Sequence, residues 1–355
     1  MTIHRAWTWA FSRRCAWRLG ALILLLACPS RVSAQPRTYT NPVGDSIFVA
    51  DPSVLTHQGR YYLYGTSAGD GFRAWTSENL VDWNELGYVY RKQAGTWGQG
   101  SFWAPEVVRY RDRFYLIYSS RGPAAYGDGY RITIAVADRP EGPFEDLYSP
   151  LFDPGYSMID AHLFIDDGKP YLFFEMVGLV GSLGNDKGYL WGVIMGVELS
   201  EDLSRPLTEP KLCLYPTQEW EGVSSMWARS NEGMTVFKAG DTYYMTYSGN
   251  HYRDPNYGVG YATAEHPLGM WTKYAGNPIL KQDPSLGVSG PGHNSITVSP
   301  DGSEQFIVYH SHADPANPSG RRVLNIDRLI VRDDGTLEVV GPTRTPQPMP
   351  AGSAR

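Results

Sequence analysis

Gly59-Arg60-Tyr61-Tyr62-Leu63-Tyr64 is a turn followed by a short aromatic strand, and the chain contains four more copies of it. They are Asp112-Arg113-Phe114-Tyr115-Leu116-Ile117-Tyr118, Gly168-Lys169-Pro170-Tyr171-Leu172-Phe173-Phe174, Gly240-Asp241-Thr242-Tyr243-Tyr244-Met245-Thr246-Tyr247 and Asp301-Gly302-Ser303-Glu304-Gln305-Phe306-Ile307-Val308-Tyr309. Anchored on Tyr62, Tyr115, Tyr171, Tyr244 and Phe306, the copies lie 53, 56, 73 and 62 residues apart. Each interval accommodates a four-stranded antiparallel sheet with its connections. An apolar strand and a turn precede each copy, as in Leu163-Phe164-Ile165 before Asp166-Asp167-Gly168, so each copy reads as half of a hairpin. Five repeats of this size predict an all-β chain folded as a five-bladed β-propeller, in which radial closure leaves few free sheet edges. The alternatives are a β-sandwich or two small β domains, but no Pro/Gly/Ser linker divides the chain.

Composition agrees with one large β domain. The 355 residues include 38 Gly and 26 Pro, the turn formers that many short strands need, and 42% hydrophobic residues, enough for a sizeable core. A formal charge of −6 with no Lys/Arg run excludes a nucleic-acid footprint and fits a neutral soluble partner.

Residues 1–34 read as a secretory signal outside the fold. Arg5, Arg13, Arg14 and Arg18 precede the apolar stretch Leu19–Cys28, and Val32-Ser33-Ala34 supplies small residues for cleavage. The stretch is too short to span a bilayer. Leu25-Leu26-Ala27-Cys28 offers a competing lipoprotein reading, with a lipid anchor on Cys28; either way the chain is expected to be secreted or periplasmic. Removing residues 1–34 takes five of the 31 basic residues and none of the 37 acids, leaving 321 residues with a formal charge of −11. Cys213 is then the remaining thiol and reads as a buried small hydrophobe. The catalytic domain is expected over 35–345, with a flexible tail over 346–355.

The first strand of each propeller blade lines the central channel, so what stands at its start in every copy decides the chemistry. The five segments are Ala50-Asp51-Pro52-Ser53, Trp103-Ala104-Pro105-Glu106, Ile159-Asp160-Ala161-His162, Asn231-Glu232-Gly233-Met234 and Gly292-His293-Asn294-Ser295. Asp51, Asp160, Glu232 and His293 are therefore predicted to converge on one cavity. Crowded carboxylates raise one another's pKa values, leaving one acid protonated while another is ionised. Glycoside hydrolysis needs that division of labour. The bland alternative is that these acids cap blade starts through backbone hydrogen bonds. Phe102 and Trp103 are candidate stacking surfaces for a sugar ring, and Glu106 and Glu221 are reserve acids.

Together the five segments, with Phe102-Trp103-Ala104-Pro105-Glu106-Val107 and Gly290-Pro291-Gly292-His293-Asn294-Ser295 at their fullest, resemble the successive signatures of glycoside hydrolase family 43, over most of Thr40–Thr345. The resemblance implies a five-bladed propeller that inverts the anomeric carbon. It implies Asp51 as general base, Glu232 as general acid and Asp160 as the residue that orients the acid and tunes its pKa. It further implies substrate contacts from Trp103, Phe102, Arg322 and Asn294, and a central calcium, sodium or water at His293, with no cofactor required for the reaction. Gly233-Met234 departs from the Gly-Pro of many members. The family's substrates are arabinofuranosides, xylosides, arabinans and some galactosides of plant oligosaccharides or polysaccharides. Loops Pro123–Arg131, Val177–Leu190 and His251–Tyr257 would wall the subsite, favouring an exo-acting α-L-arabinofuranosidase over a β-D-xylosidase or an endo-arabinanase. The rivals are a non-catalytic sugar-binding propeller, a retaining fructan hydrolase and a metal-dependent hydrolase.

Overall fold

The aromatic runs place consecutive large side chains on opposite faces of a strand, so each repeat must be covered on both sides. A computed structural model of the chain shows how this is met. It describes residues 37–44, 47–124, 129–180, 190–222, 228–318 and 320–354; the signal segment and Cys28 lie outside these.

The described residues form five four-stranded antiparallel units. Blade I comprises Ala50–His57, Arg60–Thr66, Gly71–Ser77 and Asn84–Arg91, and blade II comprises Gly100–Tyr110, Arg113–Arg121, Tyr130–Ala137 and Glu145–Tyr148. Blade III is built from Ser157–Asp166, Lys169–Val180, Leu190–Glu198 and Lys211–Leu214, and blade IV from Ala228–Ala239, Thr242–Gly249, Gly258–Ala264 and Thr272–Lys273. Gly292–Val298, Gln305–His312, Arg322–Val331 and Leu337–Val340 make blade V. The five-bladed propeller expected from the repeats is the fold observed.

Five aromatic and aliphatic clusters lie between successive blades. Tyr62 and Tyr64 pack with Phe72, Phe102, Phe114 and Tyr118 between blades I and II. Tyr61 and Leu63, on the other face of the same strand, pack against Phe306, Val308, Leu324 and Ile326 of blade V. That last cluster closes the ring. Burying a large apolar side chain is worth roughly 1.5–3 kcal/mol, so each interface is held by burial on both faces of every second strand. The buried tyrosine hydroxyls retain partners: Tyr64 donates to the Pro140 carbonyl at 2.8 Å and Tyr309 to Asp327 at 2.7 Å. Cys213 is buried among the apolar residues between blades III and IV, and burial pushes its thiol up to about 12.

The expected tail beyond 345 is instead tied down. Gln347–Pro348 pairs antiparallel with Thr38–Tyr39, and Met349 packs against the cluster that closes the ring. Asn41 donates to and accepts from the backbone of Ile326, fixing the N-terminal segment to blade V. The proline-rich composition of the terminus concealed this, because an edge pair of two residues carries no periodic pattern.

Candidate active site

The inner strand of every blade carries a β-bulge at the same place. Its pairing with the second strand shifts register between Ala50 and Ser53, Trp103 and Glu106, Ile159 and His162, Glu232 and Thr235, and Gly292 and Ser295. The bulged residue has positive φ in all five cases: Asp51 at 54°, Ala104 at 44°, Asp160 at 55°, Gly233 at 55° and His293 at 48°. A bulge re-aims the chain out of the pleat, and here the bulges bring Asp51, Asp160 and His293, with Glu232 one residue before Gly233, to one cavity. Asp tolerates this conformation better than bulky residues. At Gly233 a Cβ would stand 2.9 Å from the His293 ring, so glycine is required where the acid-bearing strand passes the axis. Met234, where many family members place proline, is buried between blades III and IV and leaves the bulge intact.

The second strand of one blade supports the bulge of the next. Thr66 Oγ1 accepts from the Ala104 amide at 2.8 Å, Ser248 Oγ from the His293 amide at 2.7 Å, and His310 Nδ1 from the Asp51 amide at 3.1 Å. Residue type at these positions is thus set by the neighbouring blade.

Asp51, Asp160, Glu232 and His293 converge as the repeats predict, in the lining of a cavity of about 320 Å³ that also includes Trp103, Glu175, Arg229, His251, Tyr252 and Arg322. Asp51 accepts from the Thr66 hydroxyl at 2.6 Å, and its Oδ1 lies 3.3 Å from His293 Nδ1 and 3.6 Å from Arg322 Nη1. Burial alone would raise this carboxyl, but His293, the Arg322 guanidinium and the Thr66 hydroxyl outweigh it and hold Asp51 below its ordinary range. Burial holds the His293 imidazole below its own usual value.

Asp160, Glu175 and Glu232 are held in the reverse way. Oxygens of Asp160, Glu175 and Glu232 lie within 4.8 Å of one another. Burial, then the neighbouring Glu232 and Asp51, push Asp160 well above the usual carboxylate range. Burial pushes Glu232 up to about 7, with Asp51 adding to the rise and the Tyr257 hydroxyl, donating to Oε1 at 2.7 Å, opposing it. One carboxyl is therefore ionised and another protonated near neutrality, the pair of states that proton transfer in both directions needs.

Trp103 is 36% exposed, stacks on Tyr130 with ring centroids 4.6 Å apart, and walls the cavity. Arg322 also lines it, over the Tyr252 ring. Phe102 does not. It is 1% exposed and packs on Phe72 and Tyr118, because neighbours on a strand face opposite ways and Trp103 takes the cavity side. Asn294 is likewise displaced from the substrate side. It is buried, donates to Thr246 Oγ1 at 2.8 Å, and lines a separate axial cavity of about 20 Å³ with Glu106 and His293. That space suits one water or ion, and Asn294 Oδ1 is buried with no hydrogen-bond partner among the described residues.

Neither reserve acid joins the main cavity. Glu106 accepts from His162 Nδ1 at 2.7 Å and from the Leu163 amide at 3.1 Å, tying blade II to blade III. Glu221 is fully buried beneath the Glu232 strand and accepts from the amides of Thr217 and Gln218, Asn231 Nδ2, the Tyr247 hydroxyl and Lys273 Nζ. Of the three loops expected as walls, Tyr130, Val177, Gly178, His251 and Tyr252 stand at or next to the cavity; residues 125–128 and 181–189 lie outside the described part. Glu175 is the lining acid that the repeat alignment did not select. It sits on the second strand, paired with Ile159 at the position where other blades carry Thr66, Ser119, Ser248 and His310.

Comparison with known proteins places the chain in a family. The model of glycosyl hydrolases family 43 matches residues 39–337. A β-D-galactofuranosidase of Aspergillus niger is 29% identical, covering 89% of this chain and 90% of its own length. An extracellular exo-α-(1→5)-L-arabinofuranosidase of Streptomyces chartreusis is 30% identical, with 81% and 87% covered. The crystal structure of a thermostable family-43 glycoside hydrolase superposes with a TM-score of 0.82 at 48% identity, covering 88% of this chain and 99% of that one. Among the described residues no helix is long and apolar enough to cross a membrane.

Proposed function

The chain belongs to glycosyl hydrolases family 43 and is a glycoside hydrolase, and from that premise we propose that it is an inverting, exo-acting α-L-arabinofuranosidase of plant oligosaccharides or polysaccharides. The observation that carries the mechanism is the opposed ionisation of two acids in one cavity: Asp51 held low and Glu232 raised to about 7. Asp51, ionised, takes a proton from water as that water attacks the anomeric carbon. Glu232, protonated, gives its proton to the departing glycosidic oxygen as positive charge develops on the sugar ring. Asp160 accepts from the Gly233 amide, next to the acid, and its burial beside Glu232 keeps the two from ionising together. Arg322 holds Asp51 in its charged form and stands ready for a sugar hydroxyl. Trp103 offers an apolar face to the ring.

Exo action is supported by the form of the site, a cavity whose lining includes Trp103, His251 and Tyr252. Cleavage within a chain needs an open groove. The furanose assignment is supported by the arabinofuranosidase and galactofuranosidase relatives. Galactofuranoside is the second reading, because β-D-galactofuranose has the ring configuration of α-L-arabinofuranose with a longer exocyclic arm. Secretion is supported by the leader-like residues 1–34 and by the extracellular relative. In the axial cavity, His293 and Asn294 Oδ1 fit a calcium or sodium ion, whose contribution there would be to fix the ring positions around the axis.

The test is release of nitrophenol from α-L-arabinofuranoside, β-D-galactofuranoside and β-D-xyloside, with Asp51→Asn as the inactive control. Preference for the arabinofuranoside, lost in the variant, is the expected result. Preference for the xyloside would overturn the furanose assignment.

A further inference from the structure

Glu175 is 2% exposed, and its surroundings are built for a carboxyl group. Oε1 accepts from the Ser230 hydroxyl at 2.6 Å. Ser230 is brought there by the parallel pairing of Leu190–Gly192 with Ala228–Ser230, which joins blade III to blade IV. Gly192 makes the room: a Cβ on it would stand 1.7 Å from Glu175 Oε1 and 2.0 Å from Ser230 Oγ. All three residues line the main cavity. Oε2, by contrast, is buried with no hydrogen-bond partner among the described residues. An unpaired buried carboxyl oxygen is costly unless something else satisfies it.

The duty of this position in other blades sharpens the point. Thr66, Ser248 and His310 each receive the bulge amide of the following blade. In blade III the corresponding amide, that of Gly233, goes to Asp160 instead. Glu175 is thereby released from the structural task of its counterparts, and its Oε2 stays buried and unpaired, among the described residues, in the wall of the cavity.

We propose that Glu175 is a specificity-determining residue, whose protonated Oε2 donates a hydrogen bond to a hydroxyl of the sugar held in the cavity while Oε1 is fixed by Ser230. The proposal rests on the glycosidase reading of the same site. It is consistent with the charge around it: burial, then Glu232 and Asp160, push Glu175 well above the usual carboxylate range. The other titratable and charged groups that line the cavity are Asp51, Asp160, Glu232, Arg229, His251, Tyr252, His293 and Arg322.

Two variants separate a donor from a carboxylate. Glu175→Gln keeps an acceptor for Ser230 and a donor for the sugar, whereas Glu175→Met keeps the shape and donates nothing. On nitrophenyl α-L-arabinofuranoside, kcat/KM should stay within about threefold for Gln and fall about tenfold for Met, the worth of one neutral hydrogen bond. Binding of α-1,5-arabinobiose, measured by calorimetry on Glu232→Gln protein, should weaken as pH rises above neutrality. Adding Glu175→Gln should remove most of that pH dependence, and the remainder belongs to Asp160. A thermal melt of each variant reports folding, and if the Met variant does not fold the calorimetric comparison decides alone. Gln as poor as Met would overturn the proposal and mark a carboxylate that binds a cation; Met as good as wild type would overturn it outright. A wild-type enzyme silent on every glycoside would instead overturn the glycosidase reading, and the proposal with it.

Discussion

Glu221 and Glu232 lie eleven residues apart, both are acids of blade IV or its approach, and they are treated oppositely by their surroundings. Glu221 is fully buried and takes hydrogen bonds from five groups, including Lys273 Nζ. Glu232 lines a cavity, keeps the Tyr257 hydroxyl on Oε1, and lies within 4.8 Å of oxygens of two further carboxyls, Asp160 and Glu175. A buried carboxylate with a full complement of donors is a structural fixture. One held among like charges with few donors is poised to gain or lose a proton. The same contrast separates Glu106, bonded to His162 and Leu163, from Glu175, bonded through one oxygen among the described residues.

The contrast is sharpest in what substitution should do. Glu221→Ala leaves Lys273 buried without its carboxylate partner and should cost about 3–5 kcal/mol of stability, while the molecules that remain folded keep most of their kcat. Urea denaturation with activity per folded molecule checks this. Full stability with lost turnover would erase the distinction between the two acids.

A second consequence follows from Glu232 titrating at about 7. It must be protonated to act, so kcat/KM on an alkyl glycoside should fall about tenfold per pH unit once pH exceeds that value. Asp51 must be ionised and its carboxyl is held low, so the acid limb should lie below the ordinary carboxylate range. A profile flat from neutrality to pH 9 would contradict the protonated acid.

The smallest effect should come from Thr66→Val, which removes the hydroxyl that joins Asp51 to the Ala104 amide. Loss of two hydrogen bonds to a buried group predicts about 1–3 kcal/mol of destabilisation and a rise of the acid limb. A shift in stability with the limb unmoved would show that Thr66 serves the backbone alone.

The propeller was legible because its strands are buried on both faces, which forces consecutive aromatics such as Tyr61 and Tyr62 and makes the repeat visible. Asp51, Asp160 and His293 were legible because they occupy one position of that repeat. Glu232 stands one residue before it, and aligning by residue type rather than by bulge still found it. Phe102 and Asn294 were misplaced because composition does not tell which of two strand neighbours faces the axis. Glu175 was passed over because the signal lay in a comparison of second strands: one acid where Thr66, Ser119, Ser248 and His310 stand. The reserve placed on Glu106 and Glu221 had the same origin, since a sequence shows an acid but not how many donors it has met.

The measurement that tests the division of roles most directly is hydrolysis of two α-L-arabinofuranosides by Glu232→Gln and Asp51→Asn, one with a dinitrophenolate leaving group that needs no proton and one an arabino-oligosaccharide that does. Glu232→Gln should lose roughly 10³-fold or more on the oligosaccharide, yet fall by only about tenfold on the dinitrophenyl glycoside, while Asp51→Asn loses roughly 10³-fold on both. Equal loss of both substrates in Glu232→Gln would contradict its role as the proton donor.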